Sequence, residues 1–145
     1  MVALLDVNVL LAFAWPSHVH HQAARRWAEA HMFDWATTTI TQLGFVRVSA
    51  NPTVFRDSTG VAAALDALRA LVALPGHRFL VDDVEPARAL DDDANPRHHR
   101  QVTDAHLLAL AARHAAELVT FDRRLPALLA PANRARVRVI PNRSS

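Results

Sequence analysis

The sequence predicts an α/β domain with a mostly parallel β-sheet. Short apolar runs alternate along the chain with longer segments of helical periodicity, which is typical of this class. The chain has 145 residues, of which 51% are hydrophobic and 21% charged, and this matches one globular domain. No internal repeat, linker or low-complexity tract divides it. We therefore expect residues 1–145 to form a single domain.

Five short runs are predicted as strands of about four residues each. Val2–Leu5 is a continuous apolar run, as expected of a strand buried on both faces. The other predicted strands are Trp35–Thr38, Arg78–Val81, Leu118–Phe121 and Val137–Ile140. In the last of these, arginines alternate with apolar residues, which indicates an edge strand.

Three helices are predicted from apolar stripes. Ser17 is placed to cap the first helix and Thr103 the last, while Pro75 and Gly76 end the middle one. The residues predicted to face inward are Val19, Ala23, Trp27 and Ala30 in the first helix, Val61, Ala64, Leu65, Leu68, Leu71 and Val72 in the second, and Leu107, Leu110, Ala111 and Ala115 in the third.

The composition excludes several kinds of chemistry. There is no Cys, so disulfides, thiol nucleophiles and thiolate metal sites are excluded. All 16 basic residues are Arg, so Schiff-base lysines and phosphate-loop lysines are excluded as well. Carboxylate, imidazole, hydroxyl and guanidinium groups remain, with or without a metal ion. No stretch approaches the roughly 20 apolar residues of a membrane span, and we expect a soluble, cytoplasmic protein.

Three aspartates are predicted to converge. Asp6 and Asp122 directly follow two of the predicted strands, and Asp104 lies in the first turn of the helix before the second of these strands. Ligands of a parallel sheet collect at the carboxyl ends of its strands, so neighbouring strands would bring the three carboxylates together. Because like charges repel, such a cluster favours a hard divalent cation, Mg²⁺ or Mn²⁺, which can assist hydrolysis of a phosphodiester.

Four motifs stand at and between these residues: Asp6-Val7-Asn8-Val9-Leu10-Leu11, Gln42-Leu43-Gly44-Phe45-Val46-Arg47, Thr103-Asp104-Ala105-His106-Leu107 and Thr120-Phe121-Asp122-Arg123. With these motifs the sequence resembles the PIN domains, and in particular the VapC-type toxins. Each motif is short, but the four occur in the family's order and span residues 2 to 125.

The resemblance implies a three-layer α/β/α fold with a parallel sheet of about five strands. It also implies Mg²⁺- or Mn²⁺-dependent cleavage of RNA, a small VapB-type antitoxin as partner, and a homodimer. Asp6 and Asp104 correspond to the expected metal ligands, and Asp122 completes or orients the site. Thr120 is expected to hydrogen-bond the acid cluster, and Asn8 to hold Asp6.

Gln42 departs from the family pattern, which usually has Glu at this position. An amide brings no negative charge, so we expect one firmly held ion, with Gln42 as a neutral ligand or a residue behind the ligands. An equally good alternative is structural, because Thr39-Ile40-Thr41-Gln42 fits a capping box in which Gln42 would bond the backbone of Thr39.

Histidine, arginine and tryptophan raise further hypotheses. His18, His20 and His21 lack a nearby fourth ligand, so a zinc site is disfavoured there. His98 and His99 precede the Asp104 motif and could face substrate or neighbour the acids. We expect Arg123 and Arg124 to contact the RNA backbone. The residues expected to extend this face are Arg134, Arg136, Arg138 and Arg143, and those expected to form a partner-binding groove are Phe13, Trp15 and Trp27.

Two other functions compete with the ribonuclease. The first is a PIN-like module that binds RNA or a protein without cutting, its catalysis lost with Gln42. The second is an aspartate-nucleophile phosphatase built on Asp6, which is disfavoured because Asp6-Val7-Asn8 lacks a second Asp and the chain has no Lys. The run Asp91-Asp92-Asp93 is predicted to be a solvated loop.

Overall fold

The described structure, a computed structural model, comprises residues 1–31, 34–58, 60–90, 96 and 98–142. The strands are β1 (Val2–Leu5), β2 (Trp35–Thr38), β3 (His77–Leu80), β4 (Ala116–Thr120) and β5 (Val137–Val139). The helices are α1 (Val7–Ala14), α2 (His21–His31), α3 (Thr39–Ser49), α4 (Val61–Val72), α5 (Pro86–Ala89) and α6 (Val102–Arg113). Short 3₁₀ turns occupy His99–Gln101, Leu125–Leu128 and Pro131–Arg136. The run Asp91-Asp92-Asp93 and Arg143 lie outside the described residues.

The five strands form one parallel sheet in the order β3-β2-β1-β4-β5. The predicted α/β class and strand number are therefore confirmed, and β5 is an edge strand as its alternating arginines predicted. Strand β1 lies between β2 and β4, with Leu5 opposite Val119. This neighbourhood brings the ends of β1 and β4 together, as the predicted convergence of aspartates requires.

Helices cover both faces of the sheet and give three layers. On one face, Leu5 and Val119 pack with apolar residues of α1 to α4, including Leu10, Phe45 and Leu68. On the other face, alternate strand residues pack against α6. The buried side chains of that second cluster include Leu4, Ala36, Leu107, Leu110 and Leu118. Burial of these two apolar faces holds α6 and the sheet in register, and so positions the residues at the strand ends.

The predicted start of the first helical stripe is wrong. Helix α2 begins at His21 rather than after Ser17, because backbone hydrogen bonds from His18 to Trp15 and from His21 to His18 close two turns first. Val19 is consequently 84% exposed, and Ala30 is exposed as well. Ala23 and Trp27 are buried, as predicted.

Three further predictions about the helices are corrected. Thr103 does not cap α6, since a 3₁₀ turn precedes the helix and places the start at Val102. Ala115 does not face inward: it is exposed and has a φ of 52°, a left-handed conformation that ends the helical path before β4. Val61 is exposed at the start of α4, whereas the rest of its stripe is buried or half-buried.

Candidate active site

Asp6 lies at the end of β1, where its backbone N–H extends the ladder by bonding Val119 of β4 at 2.9 Å. Its side chain is buried, with the residue 8% exposed, and both carboxylate oxygens are occupied by donors. Oδ1 accepts the N–H of Val7 at 2.8 Å, and Oδ2 accepts the hydroxyl of Thr120 at 2.8 Å. Burial raises the pKa of Asp6, as does the charge of Asp122, while the two hydrogen bonds act in the opposite direction.

Thr120 and Asn8 connect the two strand ends. The amide of Asn8 donates to the Thr120 hydroxyl at 3.1 Å and accepts the N–H of Phe121 at 3.2 Å. The Thr120 hydroxyl also accepts the N–H of Asp122 at 3.0 Å. The contact expected of Thr120 is present, whereas Asn8 reaches Asp6 only through Thr120.

Asp122 is held by Arg124 in a fork of three hydrogen bonds. The backbone N–H and Nε of Arg124 bind Oδ1 at 2.9 and 3.1 Å, and Nη2 binds Oδ2 at 3.3 Å. Burial alone would raise the pKa of Asp122, but the hydrogen bonds and charge of Arg124 lower it below its usual value. Asp122 is therefore readily ionised, and its orientation follows Arg124.

Asp104 lies in the first turn of α6 and is half-buried, and its side chain has no hydrogen bond to any residue that the structure describes. The pKa of Asp104 is raised to about 6. Burial is the largest cause, and the negative charges of Asp6 and Asp122 add to it, whereas the positive charge of Arg124 lowers the pKa by a smaller amount. The three predicted aspartates are thus electrostatically coupled at one edge of the sheet. Of the three carboxylates, only that of Asp104 accepts no hydrogen bond from a described residue that would offset its negative charge.

A cleft of about 420 Å³ opens at this edge. Its walls combine two of the acids, Asp104 and Asp122, with cationic or titratable side chains. These side chains are Arg124 and the segment His98-His99-Arg100. Arg100 carries no motif in the sequence, and adjacency to the two histidines is the only signal that could have indicated it. The structure therefore places His98 and His99 beside the acids, as hypothesised.

The donor set suits a hard, partly hydrated cation. In the described part of the chain, no three His, Asp or Glu side chains are gathered closely enough to enclose a metal ion. Mg²⁺ commonly uses only one or two protein carboxylates and completes its shell with water and substrate phosphate. The coupled carboxylates, and the absence of a described donor at Asp104, fit this mode of binding.

Gln42 is not hydrogen-bonded to the acids in the described structure. Its amide Nε2 donates to the hydroxyl of Thr37 at 2.9 Å, and that hydroxyl also contacts Nε2 of His77 at 2.7 Å. The capping interpretation of Gln42 is wrong, because α3 begins one residue earlier than the motif suggested. Its capping residue is Thr38, whose N–H bonds the hydroxyl of Thr41 at 2.9 Å.

The other histidines and arginines considered for metal or RNA binding lie at separate places in the fold. Nδ1 of His21 bonds the carbonyl of Ala12 at 2.7 Å, and no histidine cluster able to bind a metal occurs among the described residues. Nη2 of Arg123 donates to Oδ1 of Asn142 at 2.7 Å. Arg138 pairs instead with Glu117 in the N-terminal half of β4.

The three aromatic residues predicted to form a partner groove do not share one surface. Phe13 and Trp15 line separate clefts, and Trp27 is buried in the core. The predicted groove is therefore wrong as a single site. Trp35 is fully buried, as expected of a core residue.

Comparison with known proteins shows the family to which this chain belongs. Residues 3–128 match the PIN domain, and the chain therefore belongs to the PIN-domain family. Ribonuclease VapC39 of Mycobacterium tuberculosis is 53% identical over 125 residues, covering 84% of this chain and 89% of the relative. Ribonuclease VapC44 of the same organism is 41% identical over 133 residues, covering 90% and 93%.

Two solved structures share the fold. The toxin VapC20 of M. tuberculosis, which cleaves the sarcin-ricin loop, superposes with a TM-score of 0.63 at 16% identity, covering 86% of this chain and 93% of that chain. VapBC2 of Rickettsia felis, solved with a DNA fragment from its promoter, gives a TM-score of 0.61 at 13% identity, covering 97% and 100%. The predicted PIN-like fold is confirmed by the family match and by these neighbours.

Proposed function

We propose that this chain is a metal-dependent endoribonuclease, the toxin of a VapBC-type toxin–antitoxin system. The observation that carries the proposal is the coupling of Asp6, Asp104 and Asp122 at one sheet edge, beside a cleft walled by cationic groups. The similarity to VapC ribonucleases supports RNA as the substrate. It disfavours the alternative of a binding module that does not cut.

Asp6 and Asp104 would hold the cation, Mg²⁺ or Mn²⁺, with Asp122 completing or orienting the site. When bound, the ion would supply a more acidic water and neutralise charge on the phosphodiester. Gln42 adds no charge, and we propose that one ion is held firmly. The raised pKa of Asp104 supports this assignment, because a carboxylate with excess negative surroundings gains most from a nearby cation.

The chain's own residues would prepare the site before substrate arrives. Thr120 and the N–H of Val7 fix both oxygens of Asp6, and Asn8 fixes Thr120 in turn. Arg124 orients Asp122. With these groups already in place, little rearrangement would be needed as the phosphodiester binds, which lowers the cost of reaching the transition state.

We propose that Arg123 and Arg124 bind phosphates of the RNA, together with His98, His99 and Arg100. A guanidinium grips a phosphate through paired hydrogen bonds, and Arg124 is 89% exposed and able to reach one. Attack of water on phosphorus with departure of the 3′ oxygen, which takes up a proton, would leave a 5′-phosphate and a 3′-hydroxyl.

We further propose a VapB-type antitoxin as partner, a homodimeric assembly and action in the cytoplasm. The VapBC2 neighbour and the VapC relatives support the antitoxin. No helix in the described ranges is long and apolar enough to cross a membrane. Coexpression with the product of a short adjacent reading frame tests the proposed antitoxin. We expect the two proteins to copurify and RNA cleavage to be lost. Separate purification of the two proteins would contradict the proposed partner.

Purified protein incubated with RNA separates the candidate functions. The proposal predicts internal cleavage that requires Mg²⁺ or Mn²⁺, stops on addition of a chelator and is lost in Asp6→Asn. RNA binding by well-folded protein without cleavage would instead support the impaired binding module. Turnover of a phosphomonoester with intact RNA would support the phosphatase.

A further inference from the structure

His106 is a buried residue of α6, two positions after Asp104, that takes no part in the proposed chemistry. It is 5% exposed, and its Nε2 lies 2.8 and 3.0 Å from the two carboxylate oxygens of Asp82. Its Nδ1 is buried and has no hydrogen-bond partner in the described structure. The pair with Asp82 is therefore the polar contact that fixes this ring.

Asp82 belongs to the segment that follows β3, and this segment is attached to α6 at two places. Beyond the C-terminal end of α6, Nε2 of His114 lies 2.9 Å from Oδ1 of Asp83 and 2.9 Å from the carbonyl of Val81. Nε of Arg113 lies 3.3 Å from Oδ2 of Asp83. Two consecutive aspartates thus contact one helix at two places, Asp82 at its second turn and Asp83 at its C-terminal end, and the Asp82 contact is the one nearer to Asp104.

An open surface groove of about 480 Å³ lies beside the Asp82–His106 pair. It is lined by Val102 and Thr103 of the first turn of α6 and by Thr39 and Ile40 of α3. Within the first turn of α6 only Ala105 is buried, and the buried leucines begin at Leu107. Apolar packing of this turn is therefore limited to one small side chain, and the Asp82–His106 pair adds a polar contact one residue further along.

The three acids differ in how they are held. Asp6 is fixed by Thr120 and the N–H of Val7, and Asp122 is fixed by Arg124. The side chain of Asp104 has no hydrogen bond to a described residue, so its position follows the backbone of the first turn of α6. Any contact that fixes this turn consequently fixes Asp104.

We propose that His106 is a positioning residue that, through its hydrogen bonds with Asp82, sets the place of Asp104 relative to Asp6 and thereby the affinity for the divalent cation. The inference rests on the proposed role of Asp104 as a metal-holding residue. Groups that hydrogen-bond directly to a metal ligand typically change metal affinity by about 10- to 100-fold. Because His106 acts on Asp104 through the helix backbone, the lower end of this range, about 10-fold, is expected for the loss of Asp82.

Direct Mn²⁺ binding to the full chain tests the inference, with thermal unfolding of the metal-free protein as a second readout. Asp82→Ala removes the pair, Asp82→Asn keeps one acceptor for Nε2 of His106, and Asp83→Ala breaks the matched pair at the far end of α6. We expect Asp82→Ala to weaken Mn²⁺ binding about 10-fold, with Asp82→Asn intermediate. Asp83→Ala should lower the unfolding temperature while leaving the Mn²⁺ affinity within about two-fold of wild type, since its partners lie far from Asp104.

The outcomes are distinguishable. Wild-type Mn²⁺ affinity in Asp82→Ala, or equal weakening in Asp83→Ala, would overturn the positioning role and leave the proposed function standing. Absence of Mn²⁺ binding by the wild-type protein would overturn the metal-dependent function and this inference with it. If Asp82→Ala does not fold, Asp82→Asn decides the question by the same criterion.

Discussion

The hydroxyl of Thr120 donates a hydrogen bond to Oδ2 of Asp6 at 2.8 Å, across the junction of β1 and β4. The same hydroxyl accepts hydrogen bonds from Asn8 and from the N–H of Asp122. One buried oxygen atom thus links the ends of two neighbouring strands and places a proposed metal ligand. Its removal is expected to affect both stability and metal binding.

Thr120→Val keeps the shape of the side chain and deletes this donor. We expect the free energy of unfolding to fall by about 2 kcal/mol at neutral pH, because the buried carboxylate of Asp6 loses a hydrogen bond. We also expect Mn²⁺ affinity to fall about 10-fold, as for other residues that orient a ligand. Urea denaturation and Mn²⁺ titration measure the two effects.

Thr120→Ser is the matched control, because it retains the hydroxyl and loses only a methyl group. It should preserve Mn²⁺ affinity. Equal Mn²⁺ affinities for the Val and Ser variants would show that the hydroxyl does not position Asp6.

Asp104→Asn should stabilise the metal-free protein at neutral pH. The pKa of Asp104 in the folded protein is about 6, above the ordinary 3.8, so the folded state binds this proton more tightly than the unfolded chain does. Stability is therefore lost as the pH rises from about 4 to about 6 and stays lower above that range. Asn has no proton to lose and avoids this penalty.

Thermal unfolding of wild type and Asp104→Asn across the range from about pH 3 to pH 8 checks this prediction. The difference in unfolding temperature should be near zero at the acid end, grow between about pH 4 and 6, and then remain constant. Added Mn²⁺ should stabilise the wild type more than the variant. A difference that does not change with pH would contradict the raised pKa.

The sequence predicted the strands and the edge where the acids meet, because short apolar runs bounded by polar residues are a local signal. Other features depend on tertiary contacts and have no such signal. Helix α1 buries four consecutive residues, Val9 to Ala12, and so shows no amphipathic period. The hydrogen bond between His106 and Asp82 joins residues 24 positions apart. The hydrogen bonds from the Arg124 side chain to Asp122 depend on the conformation of that side chain.

Gln42→Glu tests the proposal that one ion is held firmly. The added carboxylate should increase the negative charge near the site and allow a second Mn²⁺ to bind measurably, while the wild type binds one. Calorimetric titration with Mn²⁺ reports the stoichiometry. If neither the stoichiometry nor RNA cleavage changes, Gln42 serves only its hydrogen bond to Thr37 and lies outside the site.

Arg123→Gln and Arg124→Gln should each weaken RNA binding in a salt-dependent manner. Losing one contact to a phosphate of single-stranded RNA reduces the slope of log affinity against log salt concentration by about 0.7. Binding is measured in an Asp6→Asn background to prevent cleavage. Arg69→Gln, with the same charge change on α4, should leave the slope unaltered, and an equal reduction there would reveal a general charge effect.

The rate of RNA cleavage by purified protein across a Mn²⁺ titration tests the central claim most directly. The wild-type rate should be zero in chelator and rise to saturation with Mn²⁺. Asp104→Asn, folded and stable, should cleave more than about 100-fold slower, beyond the effect of a residue that only orients a ligand. Cleavage that persists in chelator, or an Asp104→Asn rate equal to that of the wild type, would contradict metal-dependent catalysis at this site.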